Sequence, residues 1–265
     1  MNTHSVRIVL AILGPLASAQ AATKLPLYDD FSAADLNRTK WIETEAARYV
    51  NEKGRLVLQR QLFGGTASDA GANVENFVLN VAAPTQARSL KATITVTAVK
   101  QDESCAANAT VGSSYARLIA TYFNVRPGGP LPGDRTGDVG AQVRLSRASN
   151  STDAAGVLRV QGVPFVCTNA DCSASAIYAS VADLGQIQVG TALVAQLNWD
   201  KKNNRFQFIR DKLPPVDVSY SDDDNAAPVL SQNTLGLRNI VPNCHSGSQV
   251  KAGIAALFDD VGIAP

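Results

Sequence analysis

The sequence predicts an all-β chain folded as a jelly-roll β-sandwich of two antiparallel sheets, and three observations carry that expectation. About a dozen short runs alternate apolar and polar residues with the period of a strand. The clearest sets Leu90, Ala92, Ile94, Val96 and Ala98 against Lys91, Thr93, Thr95 and Thr97. Clusters rich in Gly, Pro, Asn and Asp separate the runs, and no capped amphipathic helix is legible after residue 20.

Met1 to Gln20 holds Arg7, an apolar run from Ile8 to Leu16 and the small-residue site Ala17-Ser18-Ala19, the pattern of a cleavable secretory signal. A membrane span takes about 18 apolar residues or more, and this run is too short for one. Residues 21–265 are then expected to form a single sandwich domain. Leu25 to Phe31 reads as the first strand. Trp41 to Val50 and Arg55 to Leu62 form a hairpin around Asn51-Glu52-Lys53-Gly54, whose glycine supplies the turn. Strands follow at Val74 to Val81, Leu90 to Ala98, Ser114 to Asn124, Val139 to Leu145 and Val157 to Val166, with a Pro/Gly surface loop from Arg126 to Asp134. Short strands are expected near Ile177 and Ile187. Leu193, Ala195, Leu197 and Trp199 share a face, and a turn at Asp200 to Asn204 leads into Arg205 to Ile209. Ser221 to Asn225 is an acidic loop that reads as solvated. Leu235 to Ile240 and Val250 to Ile263 are the last strands, the second interrupted by Asp259 and Asp260.

Lysine plus arginine number 24 and aspartate plus glutamate 23, so the balance offers no electrostatic case for nucleic acid or an anionic membrane as partner. The four cysteines are even in number in a chain expected to be exported, secreted or periplasmic. Of three possible connectivities the pairing expected is Cys167 with Cys172 and Cys105 with Cys244. The second would close a long loop and contribute about 4–5 kcal/mol on the chain-entropy model.

Three pieces of the sequence resemble the concanavalin A-like lectin/glucanase superfamily in the form of secreted bacterial laminin G-like jelly rolls. They are Tyr28-Asp29-Asp30-Phe31-Ser32 with Trp41 and Gly54-Arg55-Leu56; Asn198-Trp199-Asp200 with Asn204-Arg205-Phe206-Gln207-Phe208; and Phe258-Asp259-Asp260-Val261. The resemblance implies a sandwich, but its members serve as lectins, glycoside hydrolases, adhesive modules and structural domains. It also implies a structural calcium where the first and last strands meet, with Asp259 as ligand and Asp30 nearby; hard oxygen donors suit that ion.

The Glu-x-Asp-x-x-Glu strand of laminarinase-like members is absent. Glu43 and Glu45 flank Thr44 and are the nearest approach to a carboxylate pair of glycosidase spacing. One histidine, His245, follows the signal, and no Gly-x-Ser-x-Gly elbow exists. For sugar binding, side chains able to stack on rings or pair with hydroxyls are sought on strand faces; the candidates are Tyr115, Arg117, Gln142, Arg144 and Asn198. The expectation is a secreted, non-catalytic binding module for a glycan or cell-envelope polymer. The alternatives are a glycoside hydrolase or polysaccharide lyase of the same fold, and a structural protein without a small ligand.

Overall fold

A computed structural model describes residues 25–32, 40–42, 48–83, 86–101, 106–246 and 249–265. The expected signal, Glu43, Glu45 and Cys105 lie outside the described residues. The chain runs through β1 (Leu27–Asp29), β2 (Trp41–Ile42), β3 (Tyr49–Val50), β4 (Leu56–Phe63), β5 (Ala72–Val81) and β6 (Ser89–Gln101). It continues through β7 (Ser113–Asn124), β8 (Asp138–Ala148), β9 (Val157–Cys167), β10 (Ser175–Ile177) and β11 (Ala182–Gln188). The remainder is β12 (Ala192–Asp200), β13 (Arg205–Arg210), β14 (Val216–Ser219), β15 (Asn233–Pro242) and β16 (Lys251–Ala264). One turn of 3-10 helix, Lys201–Asn203, is the connection between β12 and β13.

These strands form two antiparallel sheets, the jelly-roll sandwich that the alternation predicts. Sheet A has the order β14-β13-β12-β6-β16-β4-β3, with β1 also on β16; sheet B has the order β10-β9-β8-β7-β15-β5-β2, with β11 also on β9. The chain crosses between sheets at β1 to β2, β2 to β3, β4 to β5, β5 to β6, β6 to β7, β11 to β12, β14 to β15 and β15 to β16. A single large core cluster fills the space between, with Leu90, Ile94, Phe206, Phe208 and Phe258 from sheet A against Phe77, Leu118, Val143, Val160 and Leu237 from sheet B.

Two bulges decide which residues reach that core. On β6 the register slips at Thr97, because Ala255 pairs with Ala98 and Ala256 with Val96. Parity reverses there, so Val96 is buried while Ala98, expected on the inner face, is exposed and Val99 packs inward in its place. On β16 two residues, Asp260 and Val261, oppose the single Ala92 between the pairs Asp259–Thr93 and Gly262–Lys91, and Asp260 takes a φ of 47°. The inner face runs Ile254, Ala256, Phe258 and would place Asp260 in the core; the extra residue turns it to solvent and buries Val261 instead. Beyond the bulge β1 takes over from β4 as partner, with Leu27 opposite Gly262 and Asp29 opposite Val261.

Asp29 is buried and has both oxygens committed: Oδ1 accepts from the Phe31 amide at 2.9 Å and Oδ2 from Trp41 Nε1 at 2.7 Å. That indole stacks on Phe31 and meets Tyr28 edge-on, which ties the N-terminal strand to sheet B through β2. At the other end Phe123, Trp199, Phe206 and Tyr220 form a stacked aromatic group. The acidic loop beside it is solvated as expected at Ser221, Asp222, Asp223 and Asn225, while Asp224 is buried. Asp222 accepts from the Tyr178 hydroxyl, and buried Asp224 accepts from Tyr220 at 2.6 Å. Asn108, the acceptor of an Asn-x-Thr sequon, is likewise a buried clamp, donating to the carbonyls of Gly71 and Asn243.

Gly162 on β9 marks a close approach of the sheets, since a Cβ there would collide with the Phe208 ring of β13. Gly162→Ala is expected to lower stability by about 1–3 kcal/mol through overpacking. Phe208→Leu should then cost less in the Gly162→Ala background than alone, because the smaller side chain relieves the clash. Urea denaturation of the four proteins checks this, and additive losses would show that the two positions do not touch.

Candidate functional site

The inner residues of sheet B fix what its outer face carries, because side chains alternate along each strand. Across β5, β15, β7, β8 and β9 the pairing aligns three outward rows. The first is Asn76, Arg238, Tyr115, Ser146 and Arg159; the second is Val78, Gly236, Arg117, Arg144 and Gln161; the third is Asn80, Thr234, Ile119, Gln142 and Val163. Four of the five expected ligand residues, Tyr115, Arg117, Gln142 and Arg144, therefore meet on two central strands.

Arg117 is the centre of this face. It is only 5% exposed, and it donates from Nη1 to Gln142 Oε1 at 3.1 Å and from Nη2 to Asn76 Oδ1 at 2.8 Å. Asn76 lies two strands away, and the strand between carries Gly236 at the level of Arg117, so no side chain blocks the reach. Arg144 donates from Nε and Nη2 to Gln161 Oε1 at 3.1 and 3.0 Å. Both guanidinium carbons stand over the Tyr115 ring, at 5.6 and 5.4 Å from its centroid. The Nε atoms of Arg117 and Arg238 are buried without a hydrogen-bond partner.

None of Arg117, Arg144 and Arg238 is paired with a carboxylate among the described residues. Burial pushes the Arg117 guanidinium down to about 10; Tyr115 opposes that shift, while the charges of Arg238 and Arg144 add to it. Burial likewise lowers Arg144, and Arg238 contributes. At about 10 the Arg117 guanidinium stays protonated at neutral pH, and the group is a cluster of like charges supported by neutral amides.

Two cavities adjoin this cluster. One of about 330 Å³ lies over Tyr115, Arg144, Arg159 and Gln161 beside the 149–152 loop. The other, about 230 Å³, lies over Asn76, Arg117, Gln142 and Arg238. Ser113 to Ile119 spans the pair, about 20 Å of strand at about 3.3 Å per residue. The far rim is the Cys167–Cys172 loop, with Asp171 and Ser173 at its edge. The disulfide packs with Ile119 and Phe165. Next to it Arg135 is fixed by buried Asp138 and by Gln232. Asp171, held below the usual carboxylate range by the amide and hydroxyl of Ser173, is the one carboxylate among the described residues lining either cavity.

The fifth candidate, Asn198, lies elsewhere. It is on β12 of sheet A, between Ser89 and Gln207, and accepts from Gln196 at 2.9 Å. Its strand alternates as expected, but the strand belongs to the opposite sheet. Conversely Arg238, Asn76 and Gln161 complete the face without having been singled out. Their signal was available in the alternation of Leu235 and Leu237 around the outward positions, and of Phe77 and Leu79 beside Asn76. What was missing was the knowledge that β15 lies between β5 and β7.

Asp30 and Asp259 are near neighbours where β1 meets β16. The Asp259 carboxyl is raised, first by burial and then by the charges of Asp260 and Asp30, against lowering by the Asp260 amide and Arg55. No group of three or more His, Cys, Asp or Glu positioned for a metal occurs among the described residues. Cys244 is disulfide-bonded, and the presence of disulfides fits an oxidising compartment. No helix among the described residues is long and apolar enough to cross a membrane.

No family model matches the chain, and no curated protein does. Solved structures similar to it include an alginate lyase from Klebsiella pneumoniae, at 10% identity over 90% of this chain and 98% of that one, with a TM-score of 0.43. Another is LamAcat from Zobellia galactanivorans, at 9% identity over 87% and 95%, with a TM-score of 0.41. A third is the carbohydrate binding module CBM66 from Bacillus subtilis, at 12% identity over 79% and 95%, with a TM-score of 0.37. The site is read from its own side chains.

Replacing both Cys167 and Cys172 by serine is expected to cost about 2 kcal/mol on the chain-entropy model, the loop being short. A thermal melt of the double variant reads the loss. A change near zero would mean that packing of the loop on Ile119 and Phe165 suffices to hold the rim.

Proposed function

We propose that this protein is an exported, non-catalytic glycan-binding module, secreted or periplasmic, with its site on the outer face of sheet B. Arg117 carries the proposal: a buried guanidinium held by two amides in the floor of the smaller of two adjoining cavities. Guanidinium forks, amides and the hydroxyl of Ser146 suit the oxygens of a sugar chain, and the length of the face suits several sugar residues in line. Tyr115, Gln142 and Arg144 act with Arg117. Asn198 is no part of this site, being on the other sheet.

Arg117→Leu separates binding from folding. Removing a buried charge that lacks a counter-charge leaves stability unchanged or raised, whereas loss of the guanidinium lowers affinity at least about tenfold. Titration calorimetry against a panel of neutral and acidic polysaccharides, with melts of both proteins, measures the two effects. Failure of the native protein to bind any member of the panel sinks the proposal. Release of reducing ends or of ultraviolet-absorbing unsaturated ends from the same polymers would transfer the protein to the hydrolase or lyase alternative.

We also propose a structural calcium held by Asp30 and Asp259. A cation there would offset the burial that chiefly raises the Asp259 carboxyl and the repulsion from Asp260 and Asp30 that adds to it. Because the folded state holds that proton more tightly than the unfolded chain, stability falls as pH rises from the ordinary carboxylate value through the raised one, and the deficit persists at neutral pH. In chelator at pH 7, Asp259→Asn is therefore expected to melt higher than the native protein by about 1 °C, its amide oxygen keeping the bond from the Asp260 N–H. Millimolar calcium should raise the native melting temperature and leave the variant unmoved. Equal native melts in calcium and in chelator would remove the metal from the account.

A further inference from the structure

We infer that the glycan recognised on the outer face of sheet B is acidic, its carboxylate or sulfate groups supplying the counter-charge that Arg117, Arg144 and Arg238 lack; this rests on the glycan reading above. The three arginines occupy adjacent strands β15, β7 and β8 within two neighbouring rows, with neighbouring backbones about 5 Å apart. Like charges at that spacing repel, and among the described residues only neutral acceptors hold them. Arg238 makes no hydrogen bond or ion pair among the described residues, and its Nε is buried. A set of donors this dense, with no carboxylate bonded to it among the described residues and only Asp171 on the cavity rim, is complementary to an anion.

The apolar part of the face agrees. Neutral sugars are gripped by stacking on open aromatic rings, and this face offers none among the described residues. Tyr115 is 4% exposed beneath two guanidinium groups, and Phe165 is 6% exposed against the disulfide. Recognition must then come from hydrogen bonds and charge. A nucleic acid is the less suitable polyanion, because the whole chain is balanced at 24 basic against 23 acidic residues.

The test uses the full mature protein at about 0.15 M salt, where exposed charges are largely screened beyond about 8 Å. Polygalacturonate, alginate and a sulfated dextran are titrated beside carboxyl-reduced polygalacturonate, unsulfated dextran and laminarin, with single-stranded DNA as a further arm. Binding to an acidic polymer, weakened at least tenfold in its uncharged counterpart, is the expected result, and the carboxylate and sulfate arms say which anion is read. Arg144→Gln and Arg238→Gln, both at partly exposed positions, should each weaken binding about 10- to 100-fold with melting temperatures unchanged. Lys91→Gln on sheet A should leave binding as it is. Equal binding of charged and neutral polymers overturns the inference while glycan binding stands; no binding to any polysaccharide overturns both. DNA bound as tightly as the acidic glycans, or full affinity in both arginine variants, overturns the inference as well.

Discussion

The fold depends on where its last strand goes. β16 lies in the middle of sheet A, hydrogen-bonded to β6 along one edge and to β4 and then β1 along the other. Sheet A therefore cannot be completed until the final residues are in place, and pairings such as Phe258 with Ile94 join distant parts of the chain. Long-range closure of this kind must bear its loop entropy before its contacts repay it. The strand answers with two register-fixing devices. Small residues, Ala252, Ala256 and Gly253, let it sit between two neighbours, and the Asp259-Asp260 bulge locks the point where β4 gives way to β1. The two acids in an apolar strand are the consequence: the bulge needs a residue at positive φ facing solvent, and aspartate is among the residues that tolerate it.

From that constraint the outer face of sheet B follows at one remove. With the inner faces committed to Leu118, Val143, Val160, Leu237 and Phe77, every intervening side chain on five neighbouring strands is directed outward. β15 arrives late in the chain and inserts between β7 and β5, which brings Arg238 beside Tyr115 and Asn76. The rim is then built from connections: the Cys167–Cys172 loop, the Asp138 network that fixes Arg135, and the 149–153 turn braced by the Asp153–Arg159 pair.

The alternation made nearly all of the longer strands legible, since burying one face of a strand leaves period two in the sequence. It failed where the period itself breaks. Ala98 reads as an inner residue until the bulge at Thr97 reverses parity, and a bulge has no composition of its own. The Cys167–Cys172 pairing was legible because a short loop between paired strand ends leaves it little choice. Tyr115, Arg117, Gln142 and Arg144 were legible as outward positions on two strands consecutive in sequence. Asn198 was grouped with them, and Arg238 and Gln161 were left out, for one reason: sheet membership is a property of strand order, and strand order is decided by packing across the whole chain. The acidic loop at 221–225 is solvated as its composition predicts except at Asp224, whose burial depends on Tyr220, a partner that approaches only in the folded sandwich.

The energetics of Arg117 bear on why such a residue sits on a strand that could have been apolar throughout. Its two hydrogen bonds go to neutral amide oxygens, each contributing about 1.5–3 kcal/mol net because the donor is charged. Taking a guanidinium out of water without a counter-ion costs several kcal/mol, and Arg144 and Arg238 add repulsion. The local balance is unfavourable to folding, and a leucine packed against Ile119 would serve the sandwich better. Stability of the whole fold is drawn from the core on the other side of the sheet, which is large enough to carry that deficit. A deficit of this sign is what a preorganised site holds before its ligand arrives: the donors are already desolvated and aimed, so little ordering remains to be done when an anion meets them.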